Sequence, residues 1–508
     1  MNKHPRVAVA TSSSLAAEAA AEIAAAGGNA VDCAVAASMI AMNTQPGVCS
    51  LAGGAYVTVW RDGDDPVTID GGVAVPGIDA ATAADGGVPL SMAYGGGVDT
   101  IVGCASVGVP GSLAACERAS TRYGSVPWRR LFEPSIRAAR EGFPLPEACH
   151  YYLEYSGRPI FCRSDDGERA LYAGGELRPT GATIRVPHLA DSLEEIARDG
   201  AASFYRGRLA GLIVDHVQSG GGALTLADLA HYEPTERAAL QVDLDDWQVA
   251  LNPPPAVGGA VLASLLVLCR HASQGNAMDE AEFVRHLAKA QAAALAWRRN
   301  HLDLSDDVPA DAARLLELAA SGQLLHIGMS SATVHTSAVD DRGLACAITS
   351  SAGYGSGEMP RGTGLWLNNC LGELELNRRG LSAGPAGARL PSNMAPGVAR
   401  APRRLLAFGS PGADRITTAL QQVLLRHLVN GDELKAAVDA PRLHVETGGD
   451  EWRISAETGI ERDRLDAPIV EYPRHSMYFG GVGIASCSAD QLTAAADPRR
   501  AGGVFVSS

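Results

Sequence analysis

Nowhere in this chain do about eighteen apolar residues run without a charge, which removes a membrane-spanning helix. Charge itself is sparse: 19% of the residues are charged, and the formal net charge of -15 comes without long acidic runs. No Lys/Arg-rich track is present to follow phosphates, so neither nucleic acid nor a membrane is an expected partner. Met1 to Val9 carry two basic side chains, Lys3 and Arg6, but no sustained apolar segment and no small-residue cleavage site follow. No secretory signal is read there, and a cytoplasmic location is the expectation.

The motifs that announce familiar chemistry are missing too. There is no HExxH, no CxxC pair and no acidic EF-hand loop, and the thirteen histidines are dispersed, so no metal and no other cofactor is expected. GxxxxGK[ST] is absent, and the glycine clusters from Tyr94 to Gly97 and from Tyr354 to Gly357 lack a strand-to-helix frame. A GxSxG string occurs at Gly380 to Gly384, but Pro385 and Gly387 follow where a nucleophile elbow needs a helix; it reads as a loop. The ten scattered cysteines read as small buried hydrophobes kept reduced.

What is present is a large apolar fraction, 46% of 508 residues, enough to bury a substantial core. Ser12, Ser13 or Ser14 can cap a helix from Leu15 to Ala26, and Asn29 a second from Ala30 to Met42. Ala55 to Trp60 and Val67 to Asp70 form a hairpin. Helical spacing returns at Leu113 to Tyr123, Pro127 to Glu141, Leu189 to Gly200, Leu209 to Val217, Glu282 to His301 and Asp311 to Ser321. Pro253-Pro254-Pro255 with Gly258-Gly259 predicts a shaped loop. Beyond Gly322 the texture changes to strands at Thr333 to Val339 and Leu344 to Ser350, and a last helix spans Thr417 to Val429. Helices flanking two blocks of strand fit a layered α/β sandwich.

Ser331 to Asp340, SATVHTSAVD, is by composition an ordinary polar strand. Its Thr-x-His-x-Ser-x-Val-Asp pattern nevertheless resembles the start of the small subunit of γ-glutamyltransferases. In family order there follow Gly355-Ser356-Gly357, Leu367-Asn368-Asn369, Pro391 to Pro396, Gly409-Ser410-Pro411-Gly412 with Arg415-Ile416, Ala440 to His444, and Ala496-Asp497-Pro498-Arg499. Upstream, Gly27 to Asp32, Val109-Pro110-Gly111, Glu133-Pro134, Glu141-Gly142-Phe143 and Pro253 to Pro255 look like the family as well. The likeness covers nearly the whole chain. It implies an α+β fold, the four-layer αββα sandwich of N-terminal-nucleophile hydrolases, made as a precursor that cuts itself. The scissile bond would be Ala332-Thr333, leaving segments 1–332 and 333–508 paired as a heterodimer within one intertwined unit and acting on a small molecule.

Such a cut has a physical reason. A threonine hydroxyl is a weak nucleophile, and the α-amine newly exposed on the same residue supplies a base without a histidine. The resemblance assigns the nucleophile to Thr333, its orientation to the Ser351 hydroxyl, and the oxyanion donors to the N–H groups of Gly412 and Ala413. The second of these is glycine in the family, and alanine retains the N–H. Glu373, Ser392 and Asn393 match positions that bind the amino and carboxylate groups of glutamate.

Three departures predict a different acyl group. From Gly77 to Gly103 there is no arginine where the family holds the glutamyl carboxylate, Cys370 replaces a Gln or Glu, and the loop around Ala352-Gly353 has lost an asparagine. The expected substrate is therefore not plain glutathione. The resemblance extends to relatives in natural-product pathways, including those that hydrolyse a carbon-carbon bond beside a carbonyl. The rivals are a conventional γ-glutamyl hydrolase or transpeptidase, which needs a replacement cation such as Arg361 or Arg389, and an uncut binding or scaffold protein.

Overall fold

The computed structural model describes residues 4–80, 84–94, 97–273, 279–321, 333–446, 452–489 and 491–507. Thirteen strands form its two large sheets: β1 Val7–Thr11, β2 Gly54–Trp60, β3 Val67–Gly71, β4 Thr235–Ala238, β5 Leu240–Leu244, β6 Trp247–Leu251, β7 Val334–Asp340, β8 Ala345–Ser351, β9 Gly397–Ala401, β10 Arg404–Gly409, β11 Gly483–Ser488, β12 Gln491–Ala496 and β13 Gly503–Val506. The first sheet has the order β4-β3-β2-β8-β7-β1-β13 and the second β5-β6-β9-β10-β11-β12. Every neighbouring pair in both is antiparallel.

The sheets face one another through β1, β7 and β8 against β10 and β11. The layer between them is small-residue packing: Ala8, Ala250, Ala345, Ala347, Ala407 and Ala485 are buried there. Alanine lets the two backbones approach closely without unfilled space. On the outer face of the first sheet lie α1 Ser14–Ala25, α2 Ala30–Thr44, α3 Ser112–Tyr123 and α4 Trp128–Glu141, and on the second α5 Gly258–Ser273, α6 Glu280–Trp297 and α7 Arg415–Leu424. This is the expected αββα sandwich. Residues before and after position 332 contribute strands to both sheets, so neither segment holds a complete sheet of its own.

Local chemistry sets the boundaries. Ser13 caps α1 by accepting from Ala16 N, and Asn29 opens α2 with a capping box closed by Asp32. Asp32 also accepts from Ser125 N at 2.8 Å, which ties the start of α4 to α2. Every residue of α2 is buried, which explains its alanine content. Several strands were not legible. Val7–Thr11 is buried on both faces and shows no alternation, so it reads as a lead-in to α1. Two long helices depart from the expected ends: α6 gives way to a π turn at Arg298–Leu302, and α7 starts at Arg415 and passes into a π turn at Leu425–Val429.

Candidate active site

Thr333 immediately precedes β7, a central strand of the first sheet, and is 3% exposed. Val334 pairs with Ser350 on β8, so the same register sets Thr333 beside Ser351 at the end of that strand. Ser351 pairs in turn with Gly54 of β2, and its Oγ accepts from Gly353 N at 3.2 Å. A Cβ on Gly53 would stand 2.2 Å from the Ser351 carbonyl oxygen, so this close approach of β8 requires glycine there. Ala332 and Ser331 lie outside the described residues.

His335, two residues along β7, is no base for Thr333. Its ring is buried between the sheets, against Gly409 and Gly483, and bonded to Thr349 Oγ1 at 2.9 Å and Ser337 Oγ at 2.6 Å. Burial pushes its pKa down to about 3, which keeps it neutral. A Cβ at Gly409 would sit 2.3 Å from the ring, which explains the glycine that opens Gly409-Ser410-Pro411-Gly412.

That motif leaves β10 and turns into α7. Gly412 has φ 119°, and a Cβ on it would meet Gly480 Cα at 2.5 Å. Ala413 has φ 68°, a left-handed conformation that costs an L-residue about 1–2 kcal/mol. Both residues are buried, and no acceptor among the described residues takes either backbone N–H. Two buried, unclaimed N–H groups at the start of a helix are a ready anion cradle. The turn is held from below: Arg298 pairs with Asp414 and bonds Asp303 Oδ1 at 2.9 Å, all three buried. Nothing in the sequence pattern singled out Arg298 or Asp303.

Thr333, Ser351, Glu373, Ser392, Asn393 and Ala413 line one cavity, and Gly412 adjoins it through Ala413. Residues separated by up to 80 positions are thus brought together, as the motif order implied. Val73, Leu376, Leu390 and Met394 form an apolar wall that sequence reasoning did not single out. Asn393 Nδ2 donates to Ala413 O at 2.6 Å, so this amide braces the Gly412-Ala413 turn, while its buried Oδ1 has no partner among the described residues. The loop that begins at Pro253 ends at Val257, and Gly258-Gly259 open α5, against the expectation of a loop through both glycines. This junction supports the same segment, as Val257 N donates to Ser392 O at 2.9 Å and a Cβ on Gly258 would stand 2.3 Å from Asn393 O.

No Arg, Lys or His lines this cavity among the described residues. Arg389 lies elsewhere, 3.6 Å from Asp70 Oδ1, donating to Glu233 O at 2.6 Å and stacked over Tyr232. Arg361 is exposed and lines no part of the cavity. The Cys370 thiol, which does line it, is held well above its usual pKa by burial and then by Glu373.

Among the described residues one group, Cys104, His216 and Glu358, has three ligand-type atoms close together. Glu358 is already bonded to Arg163 at 3.1 Å and to His216 at 2.9 Å, and the Cys104 thiol is pushed up to about 12, first by burial and then by Glu358. The set fits an ion-pair network better than a cation site. No helix among the described residues is long and apolar enough to cross a membrane, and all ten cysteines are free.

Comparison with known proteins gives the context for this geometry. Residues 16–507 match the family model described as gamma-glutamyltranspeptidase. The glutathione hydrolase 5 proenzyme of Homo sapiens is 30% identical over 477 residues, covering 83% of this chain and 79% of that protein. The glutathione hydrolase proenzyme of Escherichia coli strain K12 is 28% identical over 477 residues, covering 86% and 80%. The crystal structure of cephalosporin acylase from Bacillus halodurans covers 99% of this chain and 96% of its own at a TM-score of 0.83 and 24% identity, a likeness of fold.

Proposed function

The chain belongs to the gamma-glutamyltranspeptidase family and has the αββα sandwich of N-terminal-nucleophile hydrolases, and on that premise we propose a self-processing hydrolase or acyltransferase whose nucleophile is Thr333 and whose substrate is not plain glutathione. The observation that carries this reading is one cavity lined by Thr333, Ser351, Ala413 and the Glu373-Ser392-Asn393 group, with no Arg, Lys or His among its described lining residues. The proenzyme names of the two sequence relatives support the processing step.

In the first reaction the Thr333 hydroxyl attacks the Ala332 carbonyl, the carbon-nitrogen bond breaks with the proton passing to nitrogen, and water hydrolyses the ester. The freed α-amine then acts as base, since His335 is held neutral and turned into the sheet interface. In turnover the Thr333 oxygen bonds the substrate carbonyl carbon while Ser351 orients the hydroxyl. The N–H groups of Gly412 and Ala413 receive the developing oxyanion, an interaction worth about 3–4 kcal/mol per donor. The bond to the leaving group breaks, that group takes the proton, and water or an amine releases the acyl group. Segments 1–332 and 333–508 remain together as a heterodimer because their strands interleave.

Glu373 favours an acyl group with a positive or hydrogen-bond-donating end. The carboxylate end of a free glutamyl group finds no guanidinium in the cavity, which weighs against the conventional γ-glutamyl reading. Hydrolysis of a carbon-carbon bond next to a carbonyl uses the same attack and the same oxyanion cradle, and a role in natural-product biosynthesis accords with it. Intact-mass measurement tests the reading. Fresh wild-type protein should give two fragments divided at Ala332-Thr333 and an acyl adduct on the smaller; one uncut, active species would sink it. Faster turnover of a γ-glutamyl anilide than of non-glutamyl acyl anilides would return the conventional reading.

A further inference from the structure

Thr333 also lines a second cavity, one that Glu373 does not line, together with Pro411, Glu147, Ala148, Arg500 and Ala501. The last four of these continue into a larger space of about 1390 Å³ of empty volume, walled by Tyr94, Tyr151, Tyr472 and Tyr478 and holding Arg415. Arg415 and Arg500 therefore face one aromatic cavity. Among the described residues no carboxylate lies within ion-pairing distance of either guanidinium, and Arg500 Nε is buried without any hydrogen-bond partner.

The neighbouring arginines show that this vacancy is local. Arg499 bonds Glu457 at 2.5 Å and Asp497 at 3.1 Å, and Arg442 bonds Asp497 at 2.6 Å, so the Ala440-Pro441-Arg442 and Ala496 to Arg499 motifs close a buried four-charge network. Arg500, next in the chain, is left out of it. Arg415 spends only its Nε, on Tyr478 O at 3.0 Å, and lies over the Tyr478 ring at 4.4 Å. Burial lowers the Arg500 pKa; Tyr94 raises it, and repulsion from Arg415 lowers it again. Glu375, the carboxyl group nearest in influence after Asp414, is pushed up to about 8 by burial and makes no ion pair with Arg415, its carboxylate being bonded to the Tyr354 hydroxyl at 2.8 Å. Glu147 shares the wall but makes no ion pair with either arginine, and two partly buried like charges that no ion pair joins are costly unless an anion bridges them.

We propose that Arg415 and Arg500, walled by Tyr94, Tyr151, Tyr472 and Tyr478, bind the carboxylate of an aromatic or flat apolar leaving group, or of the acceptor that replaces it, in the space that joins Thr333 without Glu373. The guanidinium fork matches a carboxylate, and the rings supply stacking area for the body that carries it. The assignment of the leaving side rests on the nucleophile reading above; the anion site itself does not.

Calorimetric titration of the purified full-length protein with benzoate and with benzamide tests it. Benzoate should bind at least tenfold more tightly than benzamide and weaken as salt rises. Arg500→Gln and Arg415→Gln should each erase the difference while leaving benzamide unaffected, and Arg500→Lys should retain part of it. Equal binding of the two probes by wild type, or benzoate binding unchanged in both glutamine variants, overturns the proposal. If Arg500→Gln does not fold, the wild-type probe ratio and Arg415→Gln still decide. The same titration on Thr333→Ala separates the two readings: Arg500-dependent benzoate binding with no chain scission in wild type would sink the nucleophile and spare the anion site, and scission with an acyl adduct but no such binding would do the reverse.

Discussion

The two spaces that meet at Thr333 are opposite in charge. On one side, among the described residues, Glu373 stands with amides, hydroxyls and an apolar wall and no Arg, Lys or His; on the other Arg415 and Arg500 stand among tyrosines, with Glu147 on the wall but beyond ion-pairing distance. A nucleophile between such surfaces selects orientation as well as identity, because a substrate with a cationic or donor-rich acyl end and an anionic leaving end fits one way round. With Thr333 as the proposed nucleophile, this arrangement would divide specificity across the scissile bond and not concentrate it in one carboxylate clamp.

Thr333→Ala should have the largest effect. It removes the hydroxyl shared by both spaces, so chain scission and turnover are both expected to vanish on denaturing gels and in product assays. Retained scission would place the partition elsewhere. Gly412→Ala comes next, because its Cβ would fall 2.5 Å from Gly480 Cα and must displace the turn. With the donor N–H groups moved, kcat should drop about 10²–10³-fold. A normal kcat would mean that the turn is not the oxyanion cradle.

Glu373→Gln neutralises one side of the comparison alone. The KM of amine-bearing acyl substrates should rise about tenfold, the cost of exchanging a charge-assisted bond for a neutral one, while benzoate binding stays as in wild type. Loss of benzoate binding as well would show that the two spaces are not separate. Glu375 gives a smaller, pH-dependent effect. Its folded pKa is raised from 4.5 to about 8, so the stability it contributes is fully present below pH 4.5 and is lost as pH rises through about 8. The Tm should therefore decline across that window in wild type and decline less in Glu375→Gln.

How much of this was legible in sequence differs between the two spaces for a physical reason. The side with Ser351, Glu373, Ser392, Asn393 and the Gly412-Ala413 turn could be assembled because a family motif order marks those positions; taken alone, Ser351 only ends a strand and Ser410-Pro411-Gly412 is only a tight turn. The expectations for α1, α2 and the hairpin of β7 and β8 also agree with the structure within a few residues, because caps and alternation are local. Strands such as Val7–Thr11, buried on both faces, carry no such alternation, and the Arg415/Arg500 space left no mark. Its members come from five separate parts of the chain, and the meaning of Arg500 depends on the absence of a partner, which spacing alone does not reveal.

Ala413 offers the mildest test, and the one most specific to this chain. At φ 68° its Cβ is strained by about 1–2 kcal/mol, whereas glycine enters that region freely but loses more entropy on folding, about 0.5–1 kcal/mol. Ala413→Gly should accordingly raise unfolding free energy by roughly 0.5 kcal/mol, measurable in denaturant melts, and because the N–H remains, its effect on kcat should be far smaller than that of Gly412→Ala. Ala413 also lines the acyl cavity, so removing its methyl enlarges that space. A gain in stability accompanied by a shift in acyl preference would mean that the alanine is kept for the contact it makes with substrate. A gain without any shift would leave its strain unaccounted for by binding and would place the specificity of the acyl side on Glu373 and Asn393 alone.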